Sequence, residues 1–220
     1  MTAPAPALPS PFAWRSGRIA ADLPGGHVRF TTRSPGPDDA PGLVARGRQV
    51  HGARVRLVAD VAQIACPEPE ADGQATALRG VACAVRVADC LPVALVAPEA
   101  VAALHAGWRG LAAGVLQEGV RALRGLGASE IRAAIGPGAR VCCYETGEEV
   151  HAAFAHLGPR VRAGTHADLA AVARAILEAD DVLEIHDTGL CTMCAPAGLL
   201  WSHRRQGERA GRQEGVTWRS

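Results

Sequence analysis

Lysine is absent from this chain: all 23 basic residues among its 220 are arginine, which excludes a catalytic or Schiff-base lysine. His-x-His pairs are also missing, since none of the eight histidines stands two residues from another. A trinuclear copper cluster built on such pairs therefore has no ligands here. Neither sign of charge dominates: 23 basic against 22 acidic side chains leave a net charge of +1, with no footprint for nucleic acid and no acidic tail. No apolar run approaches bilayer length, which points away from a membrane partner. The Pro/Ala-rich stretch from Met1 to Phe12 carries neither a charged n-region nor an apolar h-region, so it reads as a flexible tail rather than a secretion signal. Seven cysteines cannot all pair, and they are expected to be reduced in a cytoplasmic protein. Internal repeats and linkers are lacking as well.

What is present suits one domain. A mass of 22.8 kDa and 48% apolar content are enough to bury a core without staples. Helical periodicity is found over Leu111 to Leu126, although Gly114 and Gly119 interrupt it, over Asp168 to Ala179, and over a shorter Glu148 to Ala155. Strands are predicted at His27 to Thr32, Arg54 to Ala59, Val81 to Val87, Ile131 to Ile135 and Gly198 to His203. Because these elements mix without strict alternation, the expected fold class is α+β, a single domain with mixed β-sheets flanked by helices. The expected division is a flexible tail over residues 1–25 and one catalytic domain over 26–220.

The most informative segment joins Ala88-Asp89-Cys90 to His105-Ala-Gly-Trp-Arg-Gly through two apolar runs, Leu91 to Ala97 and Ala100 to Leu104, around Pro98-Glu99. Paired antiparallel, these runs bring Cys90 and His105 within a residue or two of facing each other at the open end. A thiolate and an imidazole so placed are two ligands of one metal, or a nucleophile and its base. The glycines, indole and guanidinium that follow His105 are residues that build sites.

These segments resemble the laccase-domain family, also called multicopper polyphenol oxidase or YfiH-like, whose members include purine nucleoside phosphorylases. Other segments follow the family's order: Phe30-Thr-Thr-Arg33, Gln49-Val-His-Gly52, Asp72-Gly-Gln-Ala-Thr76, Ile135-Gly-Pro137 with Cys142-Cys-Tyr-Glu145, Cys191-Thr192, and Ser202-His-Arg-Arg205 with Gly211-Arg-Gln213. The chain departs from the pattern in a short 34–48 stretch without Asn-Leu-Gly, in Gly138 where many relatives carry Cys, and in His203 at a usually aromatic position. These departures bear on substrate contacts rather than on the metal ligands.

The resemblance implies that His51, Cys90 and His105 hold a metal and form the catalytic centre, with Arg33, Gln49, Asp89, Arg109 and Arg205 as substrate-binding residues. Two imidazoles and one thiolate suit Zn²⁺, or Cu²⁺, and leave one tetrahedral position open. The activity implied is a zinc-dependent purine nucleoside phosphorylase acting on adenosine and inosine, with methylthioadenosine as a further substrate and adenosine deamination as a side activity. Asp89 or Asp72 is a candidate proton shuttle. The implied partners are a purine nucleoside and phosphate, with the chain a monomer or weak homo-oligomer.

Three alternatives stand beside this reading, one of them a non-enzymatic metal-binding or scaffold protein. Without a metal, Cys90 as nucleophile and His105 or His51 as base would make a cysteine amidohydrolase, of the kind that edits a peptidoglycan precursor. A copper-dependent polyphenol oxidase is disfavoured by the missing His pairs. Cys191-Thr-Met-Cys194 has zinc-knuckle or redox spacing, but no second Cys or His pair lies near it in sequence, so it is read as a packing segment. Cys142-Cys143 is likewise read as core. Gly136-Pro-Gly138 lacks the Lys and Ser/Thr of a phosphate loop. Among the basic run Arg204, Arg205, Arg209 and Arg212, one guanidinium is expected to reach the site and bind an anion in bidentate fashion.

Overall fold

Two six-stranded sheets lie face to face, and helices cover the outer face of one of them. The computed structural model describes residues 5–36, 39–64 and 67–220. Its strands are β1 (Ala13–Arg15), β2 (Arg18–Leu23), β3 (Gly26–Phe30), β4 (Leu43–Ala45), β5 (Val55–Val58), β6 (Gly73–Thr76), β7 (Val81–Val87), β8 (Leu91–Val96), β9 (Val101–Ala106), β10 (Arg132–Ile135), β11 (Arg162–Ala163), β12 (His166–Ala167), β13 (Glu184–Asp187) and β14 (Gln213–Arg219). The helices are α1 (Trp108–Ala113), α2 (Val115–Gly125), α3 (Glu148–Phe154), α4 (Leu169–Ala179) and α5 (His203–Gln206).

The first sheet has the order β1-β2-β3-β14-β7-β4, and the second β13-β10-β8-β9-β6-β5. Each is antiparallel inside and closes with a parallel edge strand or strands: β4 on β7 in the first, β5 on β6 and β13 on β10 in the second. The expected α+β architecture with mixed sheets is thus observed.

Strand period two explains why β8 is buried along its whole length. Leu91, Val93 and Leu95 face α2 and α4, whereas Ala94 and Val96 face Ile19, Val28 and Phe30 of the first sheet. The hairpin of β8 and β9 therefore forms the floor shared by both cores. Its register pairs Leu91 with Ala106 and Pro92 with His105, and this puts Cys90 at the open end beside Gly107.

Three expectations need correction. The segment read as a flexible tail contributes β1 and β2, whose Ile19, Ala20 and Ala21 are fully buried; Phe12 packs on Phe30 with ring centroids 6.3 Å apart. Residues 1–4 lie outside the described residues. The Pro/Ala composition concealed an edge hairpin whose apolar face completes the first core. The predicted strand over Gly198 to His203 does not form, because the backbone of Trp201 pairs with the side-chain amide of Gln213 at 2.8 and 3.1 Å, and Ser202 caps α5. The predicted helix over Leu111 to Leu126 divides in two at Gly114, whose φ of +94° favours glycine. The helices over Asp168 to Ala179 and from Glu148 form as expected, the former capped by the Asp168 carboxylate.

Gly119, a weak helix former, has a packing reason to sit in α2. Fully buried Leu104 of β9 is wedged between two glycines: a Cβ at Gly73 would lie 2.6 Å from its Cδ2, and a Cβ at Gly119 would overlap its Cδ1. Gly119→Ala is therefore expected to destabilise by about 1–3 kcal/mol through overpacking, although alanine favours a helix by about 1 kcal/mol. Gly125→Ala, at the exposed end of the same helix with open space around it, should be neutral or stabilising. Urea midpoints of the two variants check this; equal stabilisation by both would contradict the wedge.

Candidate active site

The site grows from one buried carboxylate. Asp72, fully buried just before β6, accepts hydrogen bonds from the backbone N–H groups of Val50 (3.1 Å), His51 (2.9 Å) and Gly52 (2.8 Å), and from Nδ1 of His105 at 2.7 Å. Its own carbonyl accepts from the His105 backbone N–H at 2.7 Å. The carboxylate thus fixes a turn whose His51 adopts φ +62°, a left-handed conformation that costs on the order of 1–3 kcal/mol without such support. It also engages Nδ1 of His105, which leaves Nε2 for Cys90.

The result is a convergent donor set. The ligand atoms of His51, Cys90 and His105 all lie within 4.8 Å of one another, and the two imidazoles meet edge to face with centroids 4.8 Å apart. A tetrahedral Zn²⁺ at ordinary bond lengths needs ligand separations of roughly 3.3–3.8 Å, so small side-chain rotations would close the set. The backbone beneath leaves the space: a Cβ at Gly107 would lie 2.8 Å from the Cys90 sulfur and 3.3 Å from His51 Cδ2. The residues present fit a thiophilic divalent ion.

Electrostatics prepare the same donors. Burial would raise the Cys90 thiol, but hydrogen bonds from His105 and His51 lower it to about 6. Buried Cys83, without such partners, is pushed up to about 12. Burial would lower His105, yet its bonds to Asp72 and Cys90 raise it to about 9. Burial also pushes Asp72 upward, and the bonds from His105, Val50 and Gly52 outweigh it and hold the carboxyl below its usual range. At neutral pH the metal-free site is a thiolate–imidazolium pair resting on a carboxylate.

These groups open into a cleft of about 630 Å³, a size suited to a small-molecule ligand. Trp108, Tyr144 and His203 line it together with five arginines, Arg48, Arg86, Arg109, Arg204 and Arg212. Arg109 reaches it, stacked 4.5 Å over the Trp108 ring and without a carboxylate partner among the described residues. Gln49 lines the cleft while bridging to β7, its amide pairing with both backbone groups of Arg86 at 2.8 Å.

The other expected substrate contacts are placed differently. Asp89 touches the cleft, but its carboxylate is already engaged by Thr192 Oγ1 at 2.5 Å and the Arg204 N–H at 2.7 Å, so it positions the strand end that carries Cys90. Arg33 does not line the cleft; it stacks on Trp201 at 3.8 Å. Arg205 also lies off the cleft and binds the carbonyls of Met193, Ala195 and Leu200. Its neighbour Arg204 lines the cleft instead, 5.1 Å from the Tyr144 ring. Sequence reasoning missed Arg48, Arg86 and Tyr144, because only the fold brings them to one rim.

The fold and site together define a two-sheet sandwich with a His₂Cys donor set at a hairpin mouth, facing a cleft lined by arginines. Residues 38–220 match the model of the multi-copper polyphenol oxidoreductase laccase family, and the chain belongs to it. It is 37% identical over 214 residues to a purine nucleoside phosphorylase of Streptomyces coelicolor, covering 92% of this chain and 86% of that protein. It is also 35% identical over 188 residues to an adenosine deaminase from an unknown prokaryotic organism, covering 75% and 71%. The crystal structure of YlmD from Geobacillus stearothermophilus superposes with a TM-score of 0.82 at 27% identity, covering 96% of this chain and 99% of that one.

The charge pattern generates a pH prediction. Cys90, depressed from 9.0, contributes stability above that value and loses it as pH falls through about 6. His105, raised from 6.5, contributes fully below that value and loses it as pH rises through about 9. In metal-free protein, the thiolate absorbance that disappears in Cys90→Ser should titrate with a midpoint near 6. Asp72→Asn should move that midpoint upward, because the imidazolium loses its carboxylate. A wild-type midpoint at 9 or above would contradict the ion pair.

Proposed function

We propose that this protein is a purine nucleoside phosphorylase of its family, with adenosine deamination as a lesser activity on the same site. The observation that carries the reading is the convergence of His51, Cys90 and His105 on the wall of a cleft rimmed by arginines. Zn²⁺ on these three residues would supply Lewis-acid polarisation of a substrate oxygen at the open fourth position. Copper suits the same donors, but neither the His₂Cys set nor the pattern of histidines provides a multicopper cluster.

In phosphorolysis a phosphate oxygen bonds to the anomeric carbon as the bond from that carbon to the purine nitrogen breaks. The purine leaves with the electron pair and takes a proton. The ribose becomes cationic as this happens, and the phosphate must be held and oriented beside it. Arg109, with no carboxylate partner among the described residues, and Arg204 are the guanidinia best placed to bind phosphate. Trp108 and Tyr144 offer faces for a purine. Asp72 keeps His105 in one tautomer and orientation. Asp89 anchors the strand end that carries Cys90. The nucleoside that donates the ribosyl group and the phosphate that accepts it are small molecules, and no helix among the described residues is long and apolar enough to cross a membrane.

One observation favours a second reading. Cys90, His105 and Asp72 form a thiolate–imidazole–carboxylate chain that could act as a nucleophile, base and orienting group in a metal-free amidohydrolase.

Release of free base from adenosine and inosine separates the two. The phosphorylase should require phosphate, lose activity on chelation and regain it with Zn²⁺. Arg109→Ala should raise the KM for phosphate roughly ten- to hundred-fold, the worth of one hydrogen bond to a charged group. No base release in the presence of Zn²⁺ and phosphate, together with metal-independent cleavage of an amide substrate that expels its amine and leaves its acyl group on Cys90 by intact mass, would transfer the assignment to the amidohydrolase.

A further inference from the structure

The reading of both cysteine pairs as packing residues does not survive the structure. Cys142 and Cys143 meet Cys191 and Cys194 across nearly fifty residues of sequence, and all four sulfurs lie within 4.8 Å of one another. Cys194 Sγ is 3.5 Å from Cys142 Sγ and 2.8 Å from Cys143 Sγ. The second pair that a knuckle requires was hidden in sequence and supplied by topology.

Packing does not account for the cluster. Cys191 is buried, as an unligated cysteine ordinarily is, but Cys142 and Cys194 are exposed and none of the four belongs to a hydrophobic core cluster among the described residues. Neutral thiols gain nothing from such crowding at a surface. The loops are held together independently of the sulfurs: Gly138 and Cys191 form a β-bridge, the Thr192 N–H donates to the Gly138 carbonyl at 3.0 Å, and Arg140 binds Asp187 in bidentate fashion at 2.7 Å. The donors are thus gathered before any ion arrives.

We propose that Cys142, Cys143, Cys191 and Cys194 form a second metal site, a four-thiolate site for a thiophilic divalent cation of the Zn²⁺ class, which clamps the 138–145 segment to the 189–195 segment. At an ordinary Zn–S bond length, tetrahedral sulfurs stand roughly 3.8 Å apart, so the cluster has the right span. Backbone N–H groups of Arg140, Cys194 and Met193 also turn toward the Cys191 sulfur. N–H bonds to a ligand sulfur are what a thiolate in a knuckle receives. On binding, each thiol gives its proton to solvent, and no electron is transferred.

The clamp bears on the cleft without belonging to it. Thr192 beside Cys191 binds the Asp89 carboxylate, and Tyr144 beside Cys143 lines the cleft. The inference does not depend on the phosphorylase reading, and its test involves no substrate.

Metal content and cobalt spectra decide it. Protein loaded with Zn²⁺ under reducing conditions and freed of excess should carry two equivalents by native mass spectrometry. Cys90→Ser should retain one, and with Co²⁺ alone that variant should show the intense sulfur-to-cobalt absorption of several thiolates on a tetrahedral ion. Cys142→Ser/Cys194→Ser removes two exposed ligands and should lose this equivalent while keeping the one at His51, Cys90 and His105. Should that double variant fail to fold, Zn²⁺ should still shield Cys142 and Cys194 of the wild type from alkylation. A single equivalent that vanishes with Cys90→Ser would overturn the proposal. So would a Cys143–Cys194 disulfide, seen as a mass lower by two hydrogens, that persists under the reducing conditions used for loading.

Discussion

The Asp72 carboxylate is the constraint on which the site depends. A buried carboxylate is tolerable only when its oxygens are satisfied, and here they are satisfied by the two segments that must meet: the turn bearing His51 and the strand bearing His105. Stability and function therefore share one group. The energy that offsets the burial of Asp72 also holds His51 in a left-handed conformation and fixes the His105 ring. The thiol of Cys90, reached by the same hairpin, inherits its acidity from those two imidazoles.

Around this centre the protein solves a charge problem by geometry. The chain is nearly neutral, yet the cleft collects five guanidinia, and their compensation is uneven. Arg48 pairs with Glu70, and Arg86 lies near Glu68 and Glu214, whereas Arg109 rests on an indole and Arg204 on a phenol ring and a backbone carbonyl. Rings hold a guanidinium in place without cancelling its charge. The two arginines held this way retain their capacity for an anionic ligand.

How much of this was legible in the sequence follows from the range of each interaction. The β8–β9 hairpin and α4 announce themselves through local period and capping, and both formed close to the expected limits. Cys90 and His105 were legible because a hairpin converts short separation into contact. His51 was reached through resemblance, since nothing local marks it as a ligand. Strand β14 was missed: Gln213, Glu214 and Gly215 break its apolar pattern although it lies centrally in the first sheet. The hairpin of β1 and β2, which closes one side of the first sheet, was masked by its composition. The choice between Arg204 and Arg205 turns on the direction of one short helix, and the joining of two cysteine pairs turns on topology alone.

The first sheet is stitched from distant parts of the chain. Strand β14 lies between β3 and β7, and the hydroxyl of Thr217 reaches the carbonyl of His27 across 190 positions. Long-range pairings of this kind form slowly, because the entropy of closing the loop must be overcome before the contacts reward it. The β8–β9 hairpin, by contrast, can pair as soon as its two runs exist. Strand β7, which carries Arg86 and supports Gln49 at the rim, gains its antiparallel neighbour only when β14 docks. Cys90 and His105 on the hairpin thus rest on a local pairing, whereas Arg86 of the basic wall that faces them rests on a long-range one.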